Sequence, residues 1–383
     1  MLLAGGFLCR QWHLNNPSLN LNFMRFMLFY HFALSATYFI YVLNNPSDSK
    51  LYYAIVETQQ YGSNWLDYYG TSTFFVHFLA YPFVNYLAFT YESTMVIFAF
   101  FGFVGFLFAY SFFSENIKVP VKIFGFDGIM LILLLPNCHF WTSSLGKGSV
   151  IFIGMMMLFW GISNIKSRWP LIMLASLLVY HVRPHIFFVV VAAIALGFSL
   201  ARGRTPVAYR ALIILLSLSL LIYLYQDILS ITGLDDESLL DPFISHRAKE
   251  LSKATSGIDI ANYNFLQKIF AFLFRPLFFD APGLLGIIVS FENLLYLIMF
   301  LNFLRPAFIR YFFKADPLVK SAFFAFASVT VALAQISGNL GLAMRQKSQV
   351  MLLIFFVLLK FQEQAVLSRF TQWIKSRKLA PSK

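Results

Sequence analysis

The fold class this sequence predicts is an all-α integral membrane bundle, and three observations predict it. Of its 383 residues 59% are apolar and 12% charged, against roughly a quarter charged in soluble domains. Apolar runs of about 20 residues recur along the chain, long enough for helices that satisfy their own backbone hydrogen bonds in lipid. Continuous runs such as "LIILLSLSLLIYLY" lack the alternation of a membrane β-barrel. The expectation is one polytopic domain over residues 1–383, with about ten or eleven transmembrane helices, one of them short or re-entrant, and amphipathic helices at the extracytoplasmic surface.

In chain order, the first 22 residues have no basic start followed by a long apolar run and a small-residue cleavage site, so no removable signal peptide is expected. Crossings are predicted at about 23–43, 71–90, 93–113, 149–163, 169–180, 184–201, 208–225, 283–304, 321–336 and 350–361. The stretch 122–136, "KIFGFDGIMLILLLP", is shorter than a perpendicular span needs and carries Asp127 near its start. It is expected to dip into the membrane and return.

The formal charge of +12 does not point to nucleic acid, because the cations are scattered at span ends rather than gathered in one basic domain. Basic connectors such as "NIKSRWP" and "ARGRTPVAYR", and the tail 362–383, should face the cytoplasm. Counting crossings back from that tail puts the first loop, 44–70, outside. The polar stretches 137–148, 181–185, 227–282 and 337–347 fall on the same face, so the chain's work is expected there.

In the first loop, Ser47 or Asp48 reads as the N-cap of a helix running through Gln60. Leu51, Tyr52, Ile55 and Val56 form its apolar stripe, and Gly62 ends it. Besides the cap, Asp48 also reads as a catalytic carboxylate at the membrane boundary, accepting a proton from an incoming hydroxyl. This opening, a span, an outward loop beginning with an acid, a helix with tyrosines and then "YGTSTFFVHFLAYPF", resembles polytopic glycosyltransferases of the GT-C type. The resemblance implies a GT-C-like fold, a polyprenyl-phosphate-linked sugar donor, and Asp48 in the position of the essential loop acid. The chain has Asp48-Ser49 where many members have two adjacent acids. "LPNCHFWTSSLGKGSVIF" is similar to segments of bacterial surface-polysaccharide polymerases.

Several residues are suited to binding such substrates. Trp141 either anchors at the interface or stacks on a sugar, and Lys147 either anchors or meets a phosphate at a helix start. Arg183, flanked by His181 and His185, offers two donors to a phosphate from a short outward turn. "SGNLGLAMRQKSQV" places Asn339, Arg345, Gln346, Lys347 and Gln349 before the last span, as a phosphate pocket or as a solvated loop. Donor phosphate is thus assigned to Lys147, Arg183, His185, Arg345 and Lys347, and sugar or acceptor to Tyr52, Asp67, Trp141 and Arg275. The long loop, with Asp241 and Pro242 starting and Gly257 ending a short helix, and the amphipathic "FLQKIFAFLFRPLFF", are expected to roof the cavity.

Other chemistries fail on spacing. "LGKGS" is not a phosphate-binding P-loop, and no His-Glu-x-x-His or Gly-x-Ser-x-Gly occurs. Cys9 and Cys138 and the seven dispersed histidines give no metal-ligand spacing, so neither metal nor cofactor is expected. The expected activity is inverting transfer of a sugar from a polyprenyl-linked donor to a glycan or lipid acceptor in surface-polysaccharide synthesis, at a bacterial inner membrane. A flippase or transporter of a lipid-linked or anionic solute, and a non-catalytic envelope scaffold, are the alternatives.

Overall fold

A computed structural model describes residues 1–45, 47–200, 211–212, 214–216, 219, 263–281, 283–334 and 340–379. Most of the predicted span 208–225, most of the long loop 227–282 with Asp241, Pro242 and Gly257, and Asn339 lie outside the described residues. The rest is an all-α protein of membrane type. Among the described residues five helices are long and apolar enough to cross a membrane: α2 (Leu21–Asn44), α5 (Tyr91–Asn116), α12 (Gly283–Phe300, extended by a 3-10 turn to Leu304), α14 (Pro317–Ala334) and α15 (Leu340–Leu379, with its apolar window within Leu340–Ile374). The other described helices are α1 (Leu2–Asn15), α3 (Asp48–Glu57), α4 (Thr73–Tyr81), α6 (Gly128–Leu133), α7 (Pro136–Trp141), α8 (Lys147–Ile162), α9 (Ile165–Val182), α10 (Pro184–Leu200), α11 (Phe265–Phe274) and α13 (Pro306–Lys314). A two-stranded hairpin pairs β1 (Lys122–Ile123) with β2 (Phe126–Asp127).

Side-chain contacts fix which end of the bundle each segment occupies. The start of α2 meets the end of α5, where the Tyr110 hydroxyl accepts from the Asn20 amide at 3.1 Å. The end of α2 therefore meets the start of α5, and everything between them stays at that second end. The Tyr53 hydroxyl on α3 donates to the Phe89 carbonyl at 3.1 Å, and the Asn85 amide donates to the Val56 carbonyl at 3.1 Å. The predicted crossing at 71–90 is accordingly corrected. Its apolar run folds as nine residues of α4 and a π-turn over Pro82–Tyr86, and a helix that short reaches about half a membrane's thickness.

The re-entrant expectation for 122–136 is corrected as well. The segment starts at the first end, where the Lys360 ammonium donates to the Asn116 carbonyl at 2.9 Å and Gly128 donates to the Val121 carbonyl at 2.8 Å. The Asp127 carboxylate caps α6 at the Met130 amide. The chain then breaks before Pro136, which has no amide proton to continue a helix, and α7 carries on past the middle of α2, where the His31 and His139 rings meet at 2.9 Å. It arrives at the second end with Ser143 beside Ser35 and Leu145 beside Met95. Residues 122–141 thus traverse the bundle as a broken helix. One crossing lost and one gained leave 44–70 at the end of the bundle opposite the start of the tail.

The core between these helices is aromatic and closely packed. At Gly102 of α5 an added Cβ would lie 2.1 Å from the Thr142 carbonyl oxygen. Only a residue without a side chain lets α5 approach the turn between α7 and α8, the small-residue packing common in membrane helices.

Candidate functional site

Ser47, not Asp48, is the N-cap of α3: its hydroxyl accepts from the Ser49 amide at 3.2 Å. Four hydroxyls then tie the helix start to the bundle, Tyr38 to Ser47 at 3.0 Å, Ser47 to Ser49 at 2.8 Å and Ser49 to Tyr91 at 2.7 Å. Buried Ser49, Tyr52, Ile55 and Val56 form the inward stripe. Asp48 is therefore the first helical residue on a fixed helix, with its carboxylate not used in capping. Arg345 of α15 takes it up, Nη1 to Oδ2 at 2.7 Å, and the Asp48 side chain stays 58% exposed.

Around that pair three more of the predicted residues gather. Arg183 ends α9 and is buried, and no carboxylate among the described residues pairs with it. Burial, then the neighbouring Arg345 cation, pushes its pKa down to about 10, with Tyr52 acting the other way. Tyr52, buried on α3, has its hydroxyl pushed up by burial and then by Asp48, while Arg345 and Thr73 act the other way. Lys147 opens α8 after Gly146, whose φ of +157° with no side chain leaves room for the Tyr52 ring, 3.3 Å from where a Cβ would sit. Its ammonium donates to the Ser72 hydroxyl at 2.8 Å.

Ser72 and His77 belong to this cluster and are not among the residues sequence reasoning selects. Ser72 has φ +61°, a conformation that costs about 1–3 kcal/mol in a residue with a side chain, and its amide donates to the His181 carbonyl at 2.6 Å. His77 of α4 is buried beside Tyr52 and Tyr61, with ring centroids 5.6 and 5.8 Å away, and neither ring nitrogen has a hydrogen-bond partner among the described residues. Burial, then Lys147, holds it down to about 4. A buried polar ring and a strained serine beside a row of cations are the usual marks of a working site.

Other predicted residues do different jobs. Lys347 is not in the cluster: fully buried, it donates to the Leu273 and Arg275 carbonyls at the end of α11, at 3.0 and 3.2 Å, and to Asn293 at 2.6 Å. Nor is Arg345–Gln349 a solvated loop, since α15 starts at Leu340 and Gln346 to Gln349 are buried. Arg275 pairs with Asp280 and donates to the Tyr263 hydroxyl at 2.8 Å. The Asp67 carboxylate accepts from the Asn64 amide at 3.0 Å and closes the 3-10 turn Trp65–Tyr68. His185 lies half-buried in the first turn of α10. Lys347 has a buried acid near it, Glu292 of α12, which accepts from the Asn137 amide at 2.9 Å and from the Tyr296 hydroxyl. An acid inside "LLGIIVSFENLLYLIMF" was the available signal, because ionisable groups within a span are rare.

Trp141 does face a cavity. A space of about 840 Å³ opens between α2, α7, α12 and α15, with Asn45 and Met344, close in sequence to Asp48 and Arg345, on its wall. The rest of that wall is mostly apolar, including Leu34, Phe140, Trp141 and Ile288. The arrangement offers a carboxylate, guanidinium groups and an ammonium beside a greasy recess, which suits a ligand with an anionic head and a hydrocarbon tail. Among the described residues no group of three or more His, Cys, Asp or Glu side chains is placed to hold a metal. No protein-family model, curated protein or solved structure matches the chain.

Proposed function

We propose that the chain is a membrane glycosyltransferase that moves a sugar from a polyprenyl-phosphate- or pyrophosphate-linked donor to a glycan or lipid acceptor, on the extracytoplasmic side of the inner membrane, in surface-polysaccharide or glycoconjugate synthesis. The observation that carries this reading is the Asp48–Arg345 pair with Arg183, Tyr52 and Lys147 beside it and the apolar cavity adjoining. Charge supports the side. Lys118, Arg168, Arg310 and Lys360 lie at the end away from Asp48, and the basic end of a membrane bundle faces the cytoplasm.

In the proposed reaction the acceptor hydroxyl gives its proton to Asp48 as its oxygen attacks the anomeric carbon. The bond from that carbon to the phosphate oxygen breaks, and the polyprenyl phosphate leaves with the electron pair. Attack from the face opposite the leaving group inverts the anomeric centre. Arg183 and Arg345 neutralise the charge growing on the phosphate, the largest single contribution such a site makes. Tyr52 and Trp141 supply aromatic faces for the sugar, and the cavity takes the first prenyl units.

A second reading, a transporter of a lipid-linked or anionic solute, draws on the buried Glu292, Lys347 and Asn293 in α12 and α15, since ionisable groups inside a membrane often mark a transport pathway. Proteoliposomes holding the purified protein and a panel of polyprenyl-phosphate- and pyrophosphate-linked hexoses separate the two. Formation of a new glycosidic bond supports the transferase. Movement of intact donor between leaflets, with no bond formed, supports the transporter and overturns the transferase.

A further inference from the structure

At the end of the bundle opposite Asp48 two helical stripes face each other across a cleft. In "PAFIRYFFK" of α13, Ala307, Arg310, Tyr311 and Lys314 recur at the spacing of one helix face, and in α15 Gln362, Val366 and Arg369 do the same. Arg305, from the turn before α13, and Lys122, from β1, close the ends. The cleft holds about 680 Å³, and among the described residues its lining contains five cations, Lys122, Arg305, Arg310, Lys314 and Arg369, and no carboxylate.

Among the described residues, three acids close to the lining are occupied elsewhere. Glu363 accepts from the Lys118 and Val119 amides and pairs with Lys360. Asp316 accepts from the Val319 amide at the start of α14, and Asp127, opposite Lys122 in the hairpin, caps α6. Five like charges around one concavity repel one another and focus a positive potential into it. The positive-inside tendency accounts for cations at this end, but it scatters them over a surface and does not align two helix faces around one space.

The remaining face of α13 says where the anion comes from. Phe308 packs into the core, whereas Ile309, Phe313 and the preceding Leu304 are exposed, at 55%, 67% and 77%. An amphipathic helix with an apolar outer face and adjoining cations lies in the membrane interface. We infer that this cleft binds the phosphate of an anionic membrane phospholipid, its head group among Arg310, Lys314 and Arg369 and its acyl chains along Ile309 and Phe313. The site is separate from the Asp48 cluster and does not rest on the transferase reading.

The same phosphate chemistry could be met by soluble phosphate, so the experiment carries an arm for each source. Full-length protein in neutral detergent is titrated with phosphatidylglycerol, with phosphatidylcholine of the same chains, and with inorganic phosphate, and bound ligand is counted by native mass spectrometry. The expected result is retention of phosphatidylglycerol over phosphatidylcholine, resistant to millimolar phosphate. In Arg310→Gln/Arg369→Gln that retention falls roughly 30-fold, while Arg310→Lys/Arg369→Lys keeps most of it. Equal retention of the two lipids by the wild-type protein overturns the inference, whatever the variants do. So does unchanged phosphatidylglycerol binding in the glutamine variant, and so does saturation by inorganic phosphate with no lipid held.

Discussion

Asp48 and Arg345 are 297 positions apart in the chain, yet their side chains meet at 2.7 Å. With the Asp48 side chain 58% exposed, such a pair adds only about 0.2–1 kcal/mol to stability. A double-mutant cycle with Asp48→Asn and Arg345→Gln, read by thermal unfolding in detergent, should give a coupling energy below about 1 kcal/mol. A coupling of several kcal/mol would make the pair structural. His77 allows a test by pH. Its ordinary value is 6.5, and burial followed by Lys147 moves it down to about 4 in the folded protein. Between those values the unfolded chain binds the proton and the folded chain does not, so stability from neutral His77 is full above about 6.5 and lost as pH falls toward 4. His77→Phe should unfold with a shallower loss of melting temperature from pH 6.5 to 4.5 than the wild type; parallel curves would contradict this environment for His77. Charges flanking apolar runs are conspicuous because lipid makes them costly, which is why Asp48, Lys147, Arg183 and Arg345 were legible in the sequence. Lys347 was misjudged for a geometric reason. Two residues apart on a helix means about 200° of rotation, so Arg345 and Lys347 point to different sides of α15. Ser72 and His77 acquire their character from Lys147, His181 and Tyr52, neighbours that only the fold supplies.

Among elements, the long spans α2, α5, α12 and α14 were readable within a few residues, since an apolar run bounded by polar caps leaves one physical solution. The errors fell where a run is interrupted. Pro82 and Asn85 stop 71–90 short of a crossing, and Pro136 splits 122–141 without stopping it; hydropathy registers the apolar residues but not the direction the chain takes after a break. The start of α15 falls earlier than the sequence suggests because Arg345–Gln349 is polar and yet helical, with Gln346 to Gln349 buried. The joint that matters most to the site is α5 against the turn before α8. Gly102→Ala would place a methyl 2.1 Å from the Thr142 carbonyl oxygen, which forces the turn, and Lys147 after it, to move. Overpacking of this kind costs about 1–3 kcal/mol. The variant should show a lower melting temperature and reduced sugar transfer together, whereas wild-type values for both would mean that this contact does not position Lys147.

At the scale of the whole molecule, the account rests on one end of the bundle facing out and holding the chemistry, while the other, with Lys118, Arg168, Arg310 and Lys360, faces the cytoplasm. Ser63, exposed in the loop after α3, reports on this because both native cysteines are buried. Ser63→Cys in intact cells should react with a membrane-impermeant maleimide added outside, and protection until the cells are opened would reverse the orientation. The most direct measurement of the central claim is transfer by Asp48→Asn protein in proteoliposomes, with donor binding followed in the same samples. A positioned base is worth about 10²–10⁴-fold in rate, so transfer should fall by at least about 100-fold while the polyprenyl-linked donor is still held by Arg183 and Arg345. Transfer at the wild-type rate would contradict Asp48 as the base and with it the reading of this end of the bundle as a catalytic site.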